Sequence, residues 1–173
     1  MFVKILGAVL ILVSGSSVGW LLGSSYLNRV REIKELQLAI NIIDSEMNYG
    51  QVLLPDALKT AAKLLKGSTA ALFLEASKEL ENSAGELFTE IWVQKLEKYY
   101  HQNNLLREDI NILSNWGQQL GISSLREQKN INKKSLRRLE QQEEIAREIS
   151  RKRVKLVRYA GVLLSLLVII LFY

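Results

Sequence analysis

The chain of 173 residues carries 23 Lys/Arg against 18 Asp/Glu, with a single histidine, one proline and no cysteine. A lone histidine without cysteine excludes the usual metal-ligand spacings, and the length allows one modest hydrophobic core. Abundant Leu, Ala, Glu, Lys and Gln with few β-branched runs favour helix almost throughout.

The first element is the apolar run Ile5–Leu22, about 27 Å long as a helix and close to the hydrocarbon thickness of a bilayer. Its serines, Ser14, Ser16 and Ser17, can bond back to helix carbonyls. A cleaved signal peptide is the rival reading, with Lys4 as the charged start and small residues around Gly15 and Ser17. Against it, the apolar run resumes at Val18, Trp20, Leu21 and Leu22. Gly15, Gly19 and Gly23 share one helix face, which lets another helix approach backbone to backbone. That partner is either the C-terminal helix, through Ala160, Gly161 and Ser165, or a second copy of the protein. A merely tolerated small-residue face is the bland alternative.

A helix follows directly, with Ile33, Leu36, Ile40, Ile43 and Met47 as its apolar seam. Asn48–Tyr49–Gly50 stops it, Gly50 being suited to a left-handed closing conformation. Pro55 opens the next helix at its first position, with Asp56 in the first turn and Leu58, Ala61, Ala62 and Leu65 inside. Gly67 ends it, and Ser68 is a cap for a third helix burying Leu72, Phe73, Ala76 and Leu80. Ser83-x-x-Glu86 is a capping box for a fourth, with Leu87, Ile91, Leu96 and Tyr99 or Tyr100 inside. Polar His101–Asn104 make a turn before a fifth helix carrying Ile110, Leu113, Trp116 and Leu120, closed by Gly121.

Ser124-x-x-Glu127 opens the last helix, which meets no glycine or proline before Gly161. Ile131, Leu136, Leu139, Ala146 and Ile149 give it only a narrow apolar seam. It runs into YAGVLLSLLVIILFY, residues 159–173, about 22 Å of apolar helix. Leu156 and Val157 extend that length, Arg158 can snorkel, and Tyr159, Phe172 and Tyr173 suit the interfaces. A buried core helix is the alternative there, but no other segment could surround so apolar a helix.

The fold class is therefore all-α: a compact bundle of about six helices between two transmembrane helices. The boundaries are 1–26 for the first membrane helix, 27–158 for the helical domain, and 159–173 for the second. Basic residues flank both membrane segments on the inner side: Arg29, Arg31 and Lys34 after the first, and Arg151, Lys152, Arg153, Lys155 and Arg158 before the second. Lys4 alone lies outside them, so the positive-inside rule puts the domain in the cytoplasm and both termini across the membrane.

Charge divides the domain. Leu27–Leu125 holds 10 Lys/Arg against 13 Asp/Glu, a net of −3, while Arg126–Arg158 holds 12 against 5, a net of +7. The basic run suits an anionic inner leaflet, or is simply a solvated flank. Interspersed glutamates and missing aromatics argue against nucleic acid. His101 sits in a polar stretch, and no P-loop, metalloprotease motif or dinucleotide loop occurs. The reading is a non-enzyme without a cofactor.

From Tyr49 and Gly50 through Leu54, Pro55, Ala57 and Leu58, the chain resembles the Y-G-x-x-x-L-P-x-A-L element of the stage III sporulation protein AB family. The likeness continues through Leu72–Phe73, Trp92, Gly117-x-x-Leu120–Gly121 and Gln128 to the C-terminal membrane helix. It departs at Ser123–Ser124, where the family pattern has an acidic residue, leaving the local cap in doubt. The resemblance implies an all-helical domain similar to a cytoplasmic domain of the type II secretion and type IV pilus platform protein. It implies a place in a secretion-like complex linking mother cell and forespore. Its partners there would be a secretion-type ATPase and other membrane proteins of the complex, besides the bilayer and further copies of itself. Tyr49–Leu58 and Trp116–Gln128 become candidate contacts, although their apolar residues also suit a core. The alternative function is a membrane-anchored regulator that senses anionic lipid through its basic last helix.

Overall fold

The computed structural model describes residues 2–82, 87–120 and 125–172, and the regular structure there is entirely helical. Six helices follow in order: α1 (Phe2–Asn48), α2 (Leu54–Leu64), α3 (Gly67–Asn82), α4 (Phe88–Gln102), α5 (Arg107–Gly117) and α6 (Leu125–Phe172). The chain divides into two compact units, one of Arg31–Glu144 and one of Met1–Val30 with Ile145–Tyr173.

In the larger unit the apolar seam of α1 is fully inside at Ile33, Leu36, Ile40 and Ile43, joined by Ala39, while Met47 is half-buried. The helix ends at Asn48 as its sequence suggests, but Gln51 takes the left-handed conformation (φ 50°), not Gly50. Gly50 answers a different need: a Cβ there would come 2.7 Å from the Glu46 carbonyl oxygen.

Pro55 is the second residue of α2 rather than the first, a shift without cost because neither amide has an intrahelical acceptor. Ala57, Leu58, Ala61 and Ala62 form the buried face of α2. Left-handed Gly67 (φ 59°) opens α3, so Ser68 lies inside that helix instead of capping it. Its hydroxyl donates to Asn103 Oδ1 at 2.6 Å. Leu72, Phe73 and Ala76 are buried and Leu80 half-buried, and the Ser77 hydroxyl donates to the Pro55 carbonyl at 2.8 Å.

The capping pair Ser83 and Glu86 lies outside the described residues. Leu87 is exposed because it precedes the first turn of α4, and Phe88 takes the inward position. α4 continues to Gln102, so His101 is helical and the turn is confined to residues 103–106. Ile91, Leu96 and Tyr99 point inward with Trp92, and Tyr100 is half-buried. Asp109 in the first turn of α5 accepts the Leu106 N–H at 2.9 Å. The core centres on rings: Trp92 stands 5.5 Å from Phe73, 5.7 Å from Phe88 and 5.5 Å from Trp116.

The part of α6 in this unit packs through a polar seam. Gln128, Asn132, Ser135, Leu139 and Glu143 are buried, while Ile131 and Leu136 are only half-buried. Hydrogen bonds make this tolerable. Trp116 Nε1 donates to Asn132 Oδ1 at 2.7 Å, and Asn132 Nδ2 donates to Asp44 Oδ1 at 2.5 Å. Gln37 Nε2 donates to Glu143 Oε2 at 3.0 Å, with Lys34 Nζ 3.8 Å from Glu143 Oε1.

Glu32 on α1 is also buried, accepting the Asn104 N–H at 3.1 Å and Asn104 Nδ2 at 3.2 Å. Burial raises its carboxyl above the usual carboxylate range, outweighing those bonds. The folded state therefore holds the proton more tightly than the unfolded chain. Its contribution is complete below the ordinary carboxylate pKa and is lost as pH rises through the raised value. Relative to Glu32→Gln, the natural chain should gain thermal stability as pH falls from 7 towards 5. A difference between the two that stays flat across that window would refute this role for Glu32.

In the smaller unit, α1 and α6 each contain a window long and apolar enough to cross a membrane, with mean hydropathy 1.8 and 2.2. Ser14 and Ser17 return their hydroxyls to the Leu10 and Val13 carbonyls at 2.9 and 2.7 Å, which satisfies them without water.

Candidate interaction surfaces

Three groups of residues bear on what this protein touches. The first is the glycine face of α1. Gly19 and Gly23 are buried and Gly15 half-buried, all against α6. A Cβ on Gly19 would come 3.0 Å from the Val157 carbonyl oxygen, and one on Gly161 would come 2.6 Å from the Gly15 carbonyl oxygen. Gly15 also faces Ser165, whose hydroxyl donates to the Gly161 carbonyl at 2.8 Å. The Arg158 side chain lies over Gly23. Ala160 points away and is exposed, because Gly161 occupies the closest approach.

The second group is the family-motif positions. Ala57, Leu58, Trp116 and Leu120 are buried, and Leu54 and Pro55 half-buried. Gly117 is buried against the Trp92 indole, whose Nε1 donates to the Leu113 carbonyl at 2.9 Å. Gln128 is buried, its amide 3.5 Å from Met47 Sδ. Gly121 lies outside the described residues. Among the described members of this set Tyr49 and Gly50 are exposed, Tyr49 at 78% beside 75%-exposed Leu53. Two short segments that could have met a partner thus mostly build the interior of the larger unit, and Tyr49 remains at its surface.

The third group is charge. Arg151, Lys152, Arg153, Lys155 and Arg158 are exposed on α6. Lys152 bonds Glu148 at 2.6 Å, which holds that carboxyl below its usual range. In the larger unit several cations are matched: Lys98 with Glu75 at 3.0 Å, Lys59 with Glu81 at 3.7 Å, Lys95 with Glu79. Arg107 grips Glu97 with two bonds of 2.8 Å and sits 4.3 Å above the Tyr100 ring. His101 Nε2 lies 3.4 Å from the same Glu97. Lys129, Lys133, Lys134, Arg137 and Arg138 are exposed and without an ion pair among the described residues, as are Lys63, Lys66, Lys78 and Arg126, but the five fall within ten consecutive residues. The net charge of residues 126–158 points to that general region, but it takes a count over 129–138, five cations and no acid, to single them out.

Among the described residues no group of three His, Asp or Glu could hold a metal ion. What fold and surfaces define together is a helical unit on the same chain as two membrane-compatible helices packed through glycine. The chain belongs to the stage III sporulation protein AB family, whose model matches residues 4–173. It is 31% identical over 168 residues to stage III sporulation protein AB of Bacillus subtilis (strain 168), spanning 97% of this chain and 98% of that one. Its fold is similar to the solved structure of SpoIIIAB, with a TM-score of 0.67 and 28% identity, over 72% of this chain and 97% of that one.

Proposed function

We propose that this protein is a non-catalytic membrane component of a secretion-like complex between mother cell and forespore, coupling a cytoplasmic ATPase to membrane partners. The observation that carries the reading is the end-to-end match to its family, including both apolar segments. In this reading residues 31–144 face the mother-cell cytoplasm, where the inner basic flanks hold them. The two membrane helices act as one anchor, and the unit binds protein rather than transforming a substrate.

Topology tests it, because the chain has no cysteine of its own. Single cysteines at the exposed positions Lys78 and Gln141, and one at the C-terminus, are treated with an impermeant thiol reagent in intact cells. Protection at the first two with labelling of the last is expected. Labelling at Lys78 would put the unit across the membrane and remove the ATPase as a partner.

Exposed Arg151, Arg153 and Lys155, next to the second apolar stretch, favour a second reading in which α6 senses anionic lipid. Each would contribute about 1 kcal/mol at such a surface. Neutralising all three should then abolish function while leaving insertion and complex formation intact. Normal sporulation by that variant would exclude it.

A further inference from the structure

We infer that the groove between α5 and α6 is a docking site for an acidic amphipathic segment of a protein partner. The inference rests on the reading of residues 31–144 as a unit that binds protein. The groove has a volume of about 330 Å³ and is lined by two isoleucines among polar and basic side chains. Ile112 and Asn115 line it from α5, and Ile131, Lys134 and Arg138 from α6.

Two observations about charge bear on this groove. The first is the arrangement of charge along α6. Lys129, Lys133 and Arg137 fall at successive i, i+4 positions, and so do Lys134 and Arg138. Like charges at that spacing repel and weaken a helix by a few tenths of a kcal/mol per pair. The same helix repeats the pattern at Arg147, Arg151 and Lys155 beside its second apolar stretch, but there Glu148 pairs with Lys152. The second is the local excess of positive charge: residues 129–138 hold five cations and no Asp or Glu, and none of the five has an ion pair among the described residues. The fold thus carries repulsion that an incoming anion would relieve.

The groove's chemistry selects the occupant. Buried Ile112 and half-buried Ile131 suit aliphatic side chains, the Asn115 amide suits backbone or polar groups, and Lys134 and Arg138 suit carboxylates. A helix or extended segment with glutamates on one edge and leucines on the other satisfies all three. A bilayer cannot enter a groove between two helices, and among the described residues no aromatic side chain lines it on which a base could stack.

The test uses the full chain in phosphatidylcholine nanodiscs and a fluorescein-labelled amphipathic Glu/Leu peptide, followed by anisotropy. Lys134→Glu with Arg138→Glu should weaken binding about tenfold or more, whereas Arg151→Glu with Arg153→Glu should change it less than about twofold. Binding should also weaken with added salt. Lys134→Gln with Arg138→Gln, a milder change at exposed positions, should give an intermediate loss and leave the thermal midpoint unmoved. Equal loss in both charge-reversed variants would overturn the inference in favour of diffuse attraction. So would absence of binding by the natural chain, stronger binding to phosphatidylglycerol vesicles than to peptide, or self-association through the same residues. Association of the natural chain with a secretion-type ATPase is measured separately on the same preparation. If the ATPase binds while the peptide does not, the groove fails and the platform reading stands; if it does not bind, the platform reading fails by itself.

Discussion

Replacing Gly117 with alanine should cost the larger unit about 3 kcal/mol or more, the upper part of the range for an overpacked core. A Cβ there would run into three atoms of the Trp92 indole. The ring cannot swing aside. Its Nε1 is bonded to the Leu113 carbonyl at 2.9 Å, and Phe73, Phe88 and Trp116 hold its faces and edges. Domains of this size are stable by roughly 5–15 kcal/mol, so the variant should melt more than about 10 °C lower. Trp92→Phe supplies the missing space, so alanine at 117 should cost much less in that background than in the natural chain. Near-additive losses would mean that Gly117 is required for another reason. An unchanged melting point for Gly117→Ala alone would dismiss the tryptophan–glycine contact altogether.

The second large effect lies in the smaller unit. Gly161→Leu should separate the two membrane-compatible helices, because a Cβ at 161 already meets the Gly15 carbonyl oxygen at 2.6 Å and Gly19 Cα at 3.2 Å. Both obstacles are backbone and cannot rotate away. The lost packing should be worth about 2 kcal/mol, towards the upper end for contacts between membrane helices. Cysteines introduced together at Gly23 and Val154 report on the pairing, since a Cβ at 23 would lie 3.6 Å from the Val154 side chain. Oxidative cross-linking of that pair in membranes should slow at least about tenfold with Gly161→Leu and be unaffected by Gly7→Leu. Gly7 has open space around it, so the control adds the same bulk without a clash. Equal cross-linking in all three would show that the glycines do not hold the helices together.

Much of this architecture is legible in the sequence, and the exceptions have identifiable causes. The seam of Ile33, Leu36, Ile40 and Ile43 is visible because apolar residues at helical spacing can do little else in water. The membrane-compatible segments are visible for the same reason at greater length. Local roles are less readable: Gly50 and Leu87 each look suited to a role that a neighbour performs instead, Gln51 and Phe88, and Ser68 lies within α3 rather than at its cap. Adjacent residues compete for such roles within a few tenths of a kcal/mol, and tertiary contacts decide. The polar seam of α6 is not readable at all. Asn132 is buried only because Trp116 and Asp44 both reach it, and that coincidence of three distant residues exists only in three dimensions. The basic rows at 129–138 carry a sequence signal, but their significance depends on where the acids are not.

The intramolecular use of the glycine face also fixes how crowded copies of this protein can meet. A small-residue face serves one neighbour at a time, and here the chain's own second helix takes it. The outward surfaces left over are broad and bulky: Val9, Val13 and Trp20 on one helix, Leu163 and Leu167 on the other. Copies brought together in a ring would therefore touch through leucine, valine and tryptophan, with lipid filling the gaps that glycine would have closed. Such contacts are adaptable and individually weak, so in the proposed reading the spacing of an assembly would be set by what the larger unit grips.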